Sequence, residues 1–349
     1  MKGTSSRRVL TVAVTVLVLL VLVVVGTTVQ VPFVALGPGP TVNTLGNIEL
    51  DNRELPVVDI SGAPTQHTDG HLNLTTVSVT DGLSLFQAIG MWMSGTYSVQ
   101  PRETVFPPNQ STEETQQQNV EDMSNSESTA QAAALRYLNR PTELVAELVA
   151  KDGPAASVLK SGDVIVRVGG TAVATSEDLQ KVVRAHKPGD EIPFEIRRDG
   201  ITRMVAIKAA ARPGERSVAY IGVTPEVRNA DPNLKITFNV GDIGGPSAGL
   251  MLTLAVIDRL GTTQLTHGKF IAGTGTIADD GEVGPIGGIT HKTRAARDAG
   301  ATVFLVPDQN CTEAASDAPD GLTLVKVESL TSALDALGAI GAGKPAPHC

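Results

Sequence analysis

The sequence predicts an α+β chain: an N-terminal transmembrane helix, then α/β segments on either side of a smaller, mostly-β module. Three observations lead there. An apolar, uncharged run occupies Val9–Val25. Short strands between turn signals fill roughly residues 140–212. Two Gly-rich turns, each feeding a helix, follow in the last third.

Lys2, Arg7 and Arg8 precede the apolar run, and no further charge appears before Glu49. A helix needs roughly 20 apolar residues to cross the hydrocarbon core, a length the run meets once its Thr-bearing end is included. The basic flank should stay cytoplasmic and leave everything after Leu36 outside. A cleaved signal peptide is the alternative. The run exceeds a signal core and lacks a clean A-x-A site, which favours an uncleaved, single-pass anchor in the cell membrane.

With 349 residues the chain has room for about two domains. A net charge of −9 without a basic stripe argues against nucleic acid as a partner. Aromatic residues make up only 3%, so the core must be aliphatic. Cys311 and Cys349 have no ligand-like spacing, so no metal site is expected. They are either two free thiols or one disulfide, the latter in an oxidising compartment.

Behind the anchor (1–36), residues 37–139 open with the turn Gly37–Pro40. Strands are expected at Leu55–Ile60 and Leu72–Val79, and a helix at Leu83–Trp92. Met91, Trp92 and Met93 could touch substrate or lipid, but core packing is the simpler reading. Pro107–Ser128 is rich in Gln, Glu, Ser and Thr and reads as a flexible loop. Ala130–Leu138 has helical composition. A second region, 140–212, and a third, 213–343, precede a tail at 344–349 that should fray.

In the second region Gly153-Pro154 and Ser161-Gly162-Asp163 make turns, and Val164–Val168 alternates as a strand. A helix at Ser176–His186 has a capping box in Thr175 and Asp178. His186 lies on its apolar face and reads as a core residue. Ile192–Arg197 and Thr202–Ile207 pair across Arg198-Asp199-Gly200. The stretch from Gly153 through Leu159, Gly162-Asp163-Val164-Ile165, Val168 and Gly170 to Val173 resembles the second half of a bacterial PDZ domain. Such domains take an extended peptide as an added strand. No Gly-rich carboxylate loop precedes Val145–Ala150, so the peptide-binding residues are unassigned.

The chemistry lies in the third region. A strand ends near Val240, a Gly-rich turn follows, and Ser247 opens an apolar helix running to Leu260, with Gly261 as its C-cap. Backbone N–H groups at that helix start are available to a developing oxyanion. The second segment, Gly281–Lys292, ends with Thr290 as expected N-cap and Lys292 in the first turn of a helix. Serine becomes a nucleophile only when a neighbour takes its proton. A lysine can do this if burial lowers its pKa, and the positive end of its helix pushes the same way. Ser247 and Lys292 are therefore the candidate catalytic pair.

Both segments resemble the proteolytic domain of the Lon proteases. The resemblance rests on Gly245-Pro246-Ser247-Ala248-Gly249, then Gly281-x-Val283-x-x-Ile286-Gly287-Gly288-Ile289-x-x-Lys292. It implies Ser247 as nucleophile, Lys292 as general base, and Gly245, Pro246 and Ala248 as the nucleophile turn. It extends upstream to Gly70–Val77 and Glu121–Leu135, which makes the PDZ module an insertion in a Lon-type α/β proteolytic domain. The family's acidic residue three before the serine is Gly244 here. Asp242, two residues further back, and Thr290 are candidates to support the dyad. Lon-type domains commonly form rings, so the resemblance also implies a homo-oligomer.

No G-x-x-x-x-G-K-[ST] occurs. The expectation is thus an ATP-independent, cofactor-free, membrane-anchored serine endopeptidase acting on polypeptides. Two rivals stand beside it. One is a catalytically inactive, membrane-tethered PDZ scaffold. The other is an α/β-hydrolase-type esterase built on Gly245-x-Ser247-x-Gly249 and a later histidine among His267, His291 and His348. That rival lacks an oxyanion motif before the elbow and the run of alternating strands and helices.

Overall fold

The computed structural model describes residues 3–349, with side chains described from Val9 onward. The basic flank assigned to Lys2, Arg7 and Arg8 lies outside the residues whose side chains are described. Helix α1 (Gly3–Thr28) contains 20 uncharged residues from Val9 to Thr28. At 1.5 Å per residue these span about 30 Å, the thickness of a bilayer's hydrocarbon core. All are exposed except Gly26. A signal sequence near an N-terminus has the same length and composition.

The chain then forms β1 (Phe33–Asn43), β2 (His71–Thr80), α2 (Leu85–Met93), β3 (Ser98–Pro101) and α3 (Thr112–Tyr137). Next come β4 (Thr142–Val149), β5 (Val164–Val168), α4 (Ser176–Arg184), β6 (Glu191–Arg198), β7 (Ile201–Lys208) and β8 (Val223–Asn229). The last third adds α5 (Gly249–Leu260), β9 (Phe270–Gly273), α6 (Ile289–Asp298), β10 (Val303–Pro307), β11 (Thr323–Val327) and α7 (Leu330–Gly341).

One six-stranded sheet runs β11-β10-β9-β2-β1-β3. It is parallel from β11 to β2 and antiparallel across β2, β1 and β3. Residues before and after the PDZ-like module thus share one sheet, because β9 pairs directly with β2. Strand alternation divides the core. Val303 and Leu305 face a cluster with α3 and α5, while Phe304 and Val306 face one with α6. A strand covered on both faces reads as a continuous apolar run, as Val303–Val306 does.

The second sheet runs β7-β6-β5-β4-β8, with Thr171–Ala172 pairing β5. It belongs to the PDZ-like module, whose core includes Ile165, Phe194 and Ile196. The capping box of α4 forms as expected: Thr175 accepts from the Asp178 N–H and Asp178 accepts from the Thr175 N–H. His186 Nδ1 lies 2.9 Å from Val182 O. The sheet reaches past Arg212: β8 pairs with β4 from Val223↔Val149 to Asn229↔Thr142.

Four sequence expectations need correction. The flexible loop at Pro107–Ser128 is mostly helix, in α3. Its N-terminus is closed by a Ser111–Glu114 capping box, and tertiary packing of Met123, Ser126 and Ala130 outweighs the polar composition. Leu55–Ile60 is two strands, Arg53–Pro56 and Val58–Ser61, broken where Val57 turns into the core. Trp92 and Met93 are not core residues but stand 69% and 74% exposed. The tail is not frayed: Cys311 and Cys349 form a disulfide, and Lys326 N–H donates to Pro347 O.

Candidate active site

Ser247 sits in a single 3-10 turn, Pro246–Ala248, at the start of α5. Gly245 precedes it with φ 86° and ψ 163°, a conformation that disfavours any side chain and swings the serine out of line with the strand behind it. Helix α3 braces the turn from outside. Gly245 N–H donates to Asn119 O at 2.8 Å, and Ser126 Oγ lies 3.1 Å from Pro246 O. A Cβ at Gly244 would lie 2.9 Å from Asn119 Cβ, so α3 also accounts for the glycine where the Lon pattern has an acidic residue.

From the other side, Gly275 N–H and Thr274 Oγ1 both donate to Ser247 O at 3.0 Å. These contacts hold the backbone while the side chain points into a cavity of about 840 Å³. Thr76, Val79, Val105, Ile243 and Pro285 are among its walls. Such a volume falls in the range of a ligand cleft, and its apolar walls with few polar groups suit an extended peptide.

Lys292 enters from α6, the helix packed on the opposite face of the sheet. Its Nζ lies 2.9 Å from Ser247 Oγ and donates to Thr75 O at 2.8 Å. Only 3% of the residue is exposed. Burial lowers its pKa from 10.5 to about 8, since the cationic form loses its hydration there. The amine thus has two fixed oxygen neighbours and no carboxylate partner among the described ion pairs.

The structure brings Ser247 and Lys292 together and leaves the two proposed supporters aside. Asp242 is exposed on the cavity wall and hydrogen-bonds neither residue. Thr290 is not the N-cap of α6. Gly288 takes that position, two residues earlier than the threonine would, and Thr290 O accepts from Thr293 Oγ1 within the helix. The nucleophile turn is narrower as a donor set than expected. Gly245 N–H is committed to Asn119, and Pro246 has no N–H, which leaves the amides of Ser247 and Ala248.

The sequence does not announce Thr75 as a partner, because a backbone carbonyl carries no sequence signature. No histidine of the esterase reading hydrogen-bonds Ser247 among the described residues. His291 Nε2 lies 3.0 Å from Ser98 Oγ, and its pKa is lowered by burial and then by Arg294.

A second cavity, of about 210 Å³, lies in the PDZ-like module between α4 and the start of β8. Leu179 and Val183 line one side, and Tyr220, Gly222 and Val223 the other. Strand β8 is the end strand of its sheet, so one edge carries no strand partner. A Gly-bearing turn, with Gly222 at φ 76°, stands before Val223 and not before Val145.

Comparison with known proteins agrees with this architecture. Residues 120–209 match the family model of the PDZ domain, and residues 207–337 that of the Lon protease (S16) C-terminal proteolytic domain. Lon protease 2 of Bacillus subtilis is 27% identical over 135 residues, covering 38% of this chain and 24% of that protein. The archaeal Lon protease of Methanothermobacter thermautotrophicus is 26% identical over 187 residues, covering 53% and 26%. The chain thus spans about a quarter of the length of these relatives. Among solved structures, the PDZ domain of the SdrC-like protein Lin2157 from Listeria innocua is 23% identical over 24% of this chain and 92% of its own, with a TM-score of 0.22. The Lon relatives and the proteolytic-domain match support a serine peptidase. The chain is a PDZ-containing protein with a C-terminal proteolytic domain of the Lon type.

Proposed function

We propose that the chain is a membrane-anchored, ATP-independent serine endopeptidase working with a Ser247–Lys292 dyad. The observation that carries this reading is the 2.9 Å contact between Ser247 Oγ and an amine whose burial lowers its pKa to about 8. A neutral Lys292 accepts the hydroxyl proton as Oγ attacks the peptide carbonyl. The tetrahedral oxyanion forms beside the Ser247 and Ala248 amides. Collapse breaks the C–N bond, Lys292 returns the proton to the leaving amine, and an acyl-enzyme remains. Water then attacks the ester, with Lys292 again taking and returning a proton.

Thr75 O keeps the amine aimed at Ser247 without competing for its proton, because a peptide carbonyl does not titrate near neutrality. The length of α1 supports anchoring, and the Cys311–Cys349 bridge supports an extracytoplasmic, oxidising side. The absence of a Walker-type Gly-x-x-x-x-Gly-Lys-Ser/Thr motif supports ATP independence. The open edge of β8 supports capture of an extended polypeptide as an added strand. An active-site serine probe that labels the wild type and not Ser247→Ala tests the reading. Equal labelling of both would overturn it.

A further inference from the structure

Helix α2 is amphipathic in a sense opposite to that of a helix packed on a core. Its inward side is slight: Ala88 is buried and Met91 half-buried, against Ala35, Leu83 and Val99 at the β1–β3 edge. Its outward side presents Leu85, Phe86, Ile89, Trp92 and Met93, all exposed. Their spacing of one, three, three and one places all five on one face. A continuous apolar face of this kind on a water-facing helix needs a partner.

The partner is identified by what lies alongside. The side chain of Phe86 packs on Gly26, the single buried residue of α1 from Val9 to Thr28; a Cβ at Gly26 would come within 2.5 Å of the Phe86 ring. Gly26 is two residues before the end of α1, so this contact lies about 3 Å inside the end of the apolar span. Backbone pairing fixes the junction: Val31 N–H donates to Leu83 O at 2.8 Å, and Gln30 bridges to Ser84. The exposed apolar surface of α1 therefore continues onto α2 at the depth where a bilayer passes from acyl chains to headgroups. Trp92, the chain's single tryptophan, sits on that face, and indoles favour this depth.

We propose that α2 lies in the plane of the membrane surface, with Leu85, Phe86, Ile89, Trp92 and Met93 immersed at the headgroup–acyl boundary, as a second lipid contact beside the anchor. The inference rests on α1 being that anchor. Short in-plane helices with one aromatic and aliphatic face bind lipid in this way. The contact also orients the proteolytic domain. Just after α2, Gly95 O accepts from Arg294 at 2.6 Å and Ser98 Oγ meets His291, both residues of the helix that carries Lys292. An immersed α2 holds that helix, and the cavity beside it, close to the bilayer. The substrates favoured by such a pose are polypeptide segments emerging from the membrane.

Trp92 makes the test direct. The full chain is reconstituted into vesicles whose lipids carry bromine high on the acyl chain, and tryptophan fluorescence is read alongside flotation after carbonate washing. The expected result is strong quenching by brominated lipid and little by aqueous iodide. A chain carrying Ile89→Asp and Met93→Asp should lose lipid quenching by about threefold or more. It should keep its rate on a short soluble peptide and lose rate on a membrane-tethered one. Iodide quenching without lipid quenching, in a chain that still floats, overturns the in-plane helix and leaves the anchor standing. Shielding from both quenchers means that a second copy of the chain covers α2, and overturns it as well. A chain washed off the vesicles refutes the anchor, and the proposal with it.

Discussion

The amine of Lys292 lies 2.9 Å from the hydroxyl of Ser247, although 45 positions separate the two residues. They come from helices on opposite faces of one sheet, and they meet past the end of β9 and alongside β2. Neither helix could present its residue alone. The turn before α5 needs α3 as a brace, and Lys292 needs the Thr75 carbonyl as a guide.

Burial of Lys292 costs stability. Its pKa near 8 in the folded chain stands against 10.5 for the free side chain, a difference equivalent to about 3 kcal/mol. Below pH 8 both folded and unfolded chains hold the proton, so the full cost is present. Between 8 and 10.5 the unfolded chain holds more protons, and stability rises with pH. Lys292→Met should therefore abolish hydrolysis yet raise stability at pH 7 by about 1–2 kcal/mol, after the lost bond to Thr75 O is counted. The gain should shrink towards pH 10. Denaturant unfolding of both chains across that range checks it.

The PDZ-like module has its own buried charge. Arg198 grips Asp163 through two bonds, 2.6 Å from Nε and 2.5 Å from the terminal nitrogen. Burial pushes the carboxyl pKa up, but Arg198 and the Lys160 amide outweigh it and hold it low. Arg198→Met leaves that carboxylate buried without its partner. A loss of about 3–5 kcal/mol is expected for the module, read by hydrogen exchange within β5 and β6. Asp163→Asn should cost less, because the charge left behind, on Arg198, is 19% exposed against 2% for Asp163 and keeps an amide oxygen as acceptor.

Reduction should release the tail. The Cys311–Cys349 bridge closes a separation of 38 residues, which corresponds to about 4 kcal/mol of lost chain entropy in the unfolded state. Cys311→Ser should lower stability by up to that amount and expose the edge of β11, where Cys349 N–H now donates to Leu324 O. Thermal unfolding with and without reductant should differ for the wild type and coincide for the variant.

The groove between α4 and β8 predicts a separable defect. Gly222 has φ 76° and lies close to Gly153, where a Cβ would approach the Gly153 Cα to 3.0 Å. Gly222→Val should distort the turn before β8 and weaken binding of labelled peptides by about tenfold or more, read by fluorescence anisotropy. Hydrolysis of a short soluble peptide should be unchanged, since the groove shares no lining residue with the cavity of Ser247.

What the sequence shows of this protein follows from how local each signal is. Ser247 and Lys292 are legible because each lies inside its own glycine pattern, and the α4 capping box because two residues three positions apart, Thr175 and Asp178, define it. The first half of α3 is hidden because Gln, Glu, Ser and Thr dominate it, while Ala130–Leu138 is legible from its composition; the Ser111–Glu114 capping box and packing against α5 complete the helix. The Thr75 carbonyl and the brace at Asn119 are backbone features that many residue types could supply, whereas the Gly288 cap has φ 68° and a Cβ there would lie 2.9 Å from Val77. The exposure of Trp92 is not legible, because an exposed apolar face and a buried one have the same periodicity.

The central claim is that Lys292 acts as a neutral base, and the pH dependence of kcat/KM on a soluble peptide tests it most directly. The rate should rise about tenfold per pH unit below pH 8, level off above it, and keep that midpoint in a chain whose six histidines are replaced. A midpoint near pH 6.5 that vanishes with the histidines, or full activity in Lys292→Ala, would contradict it.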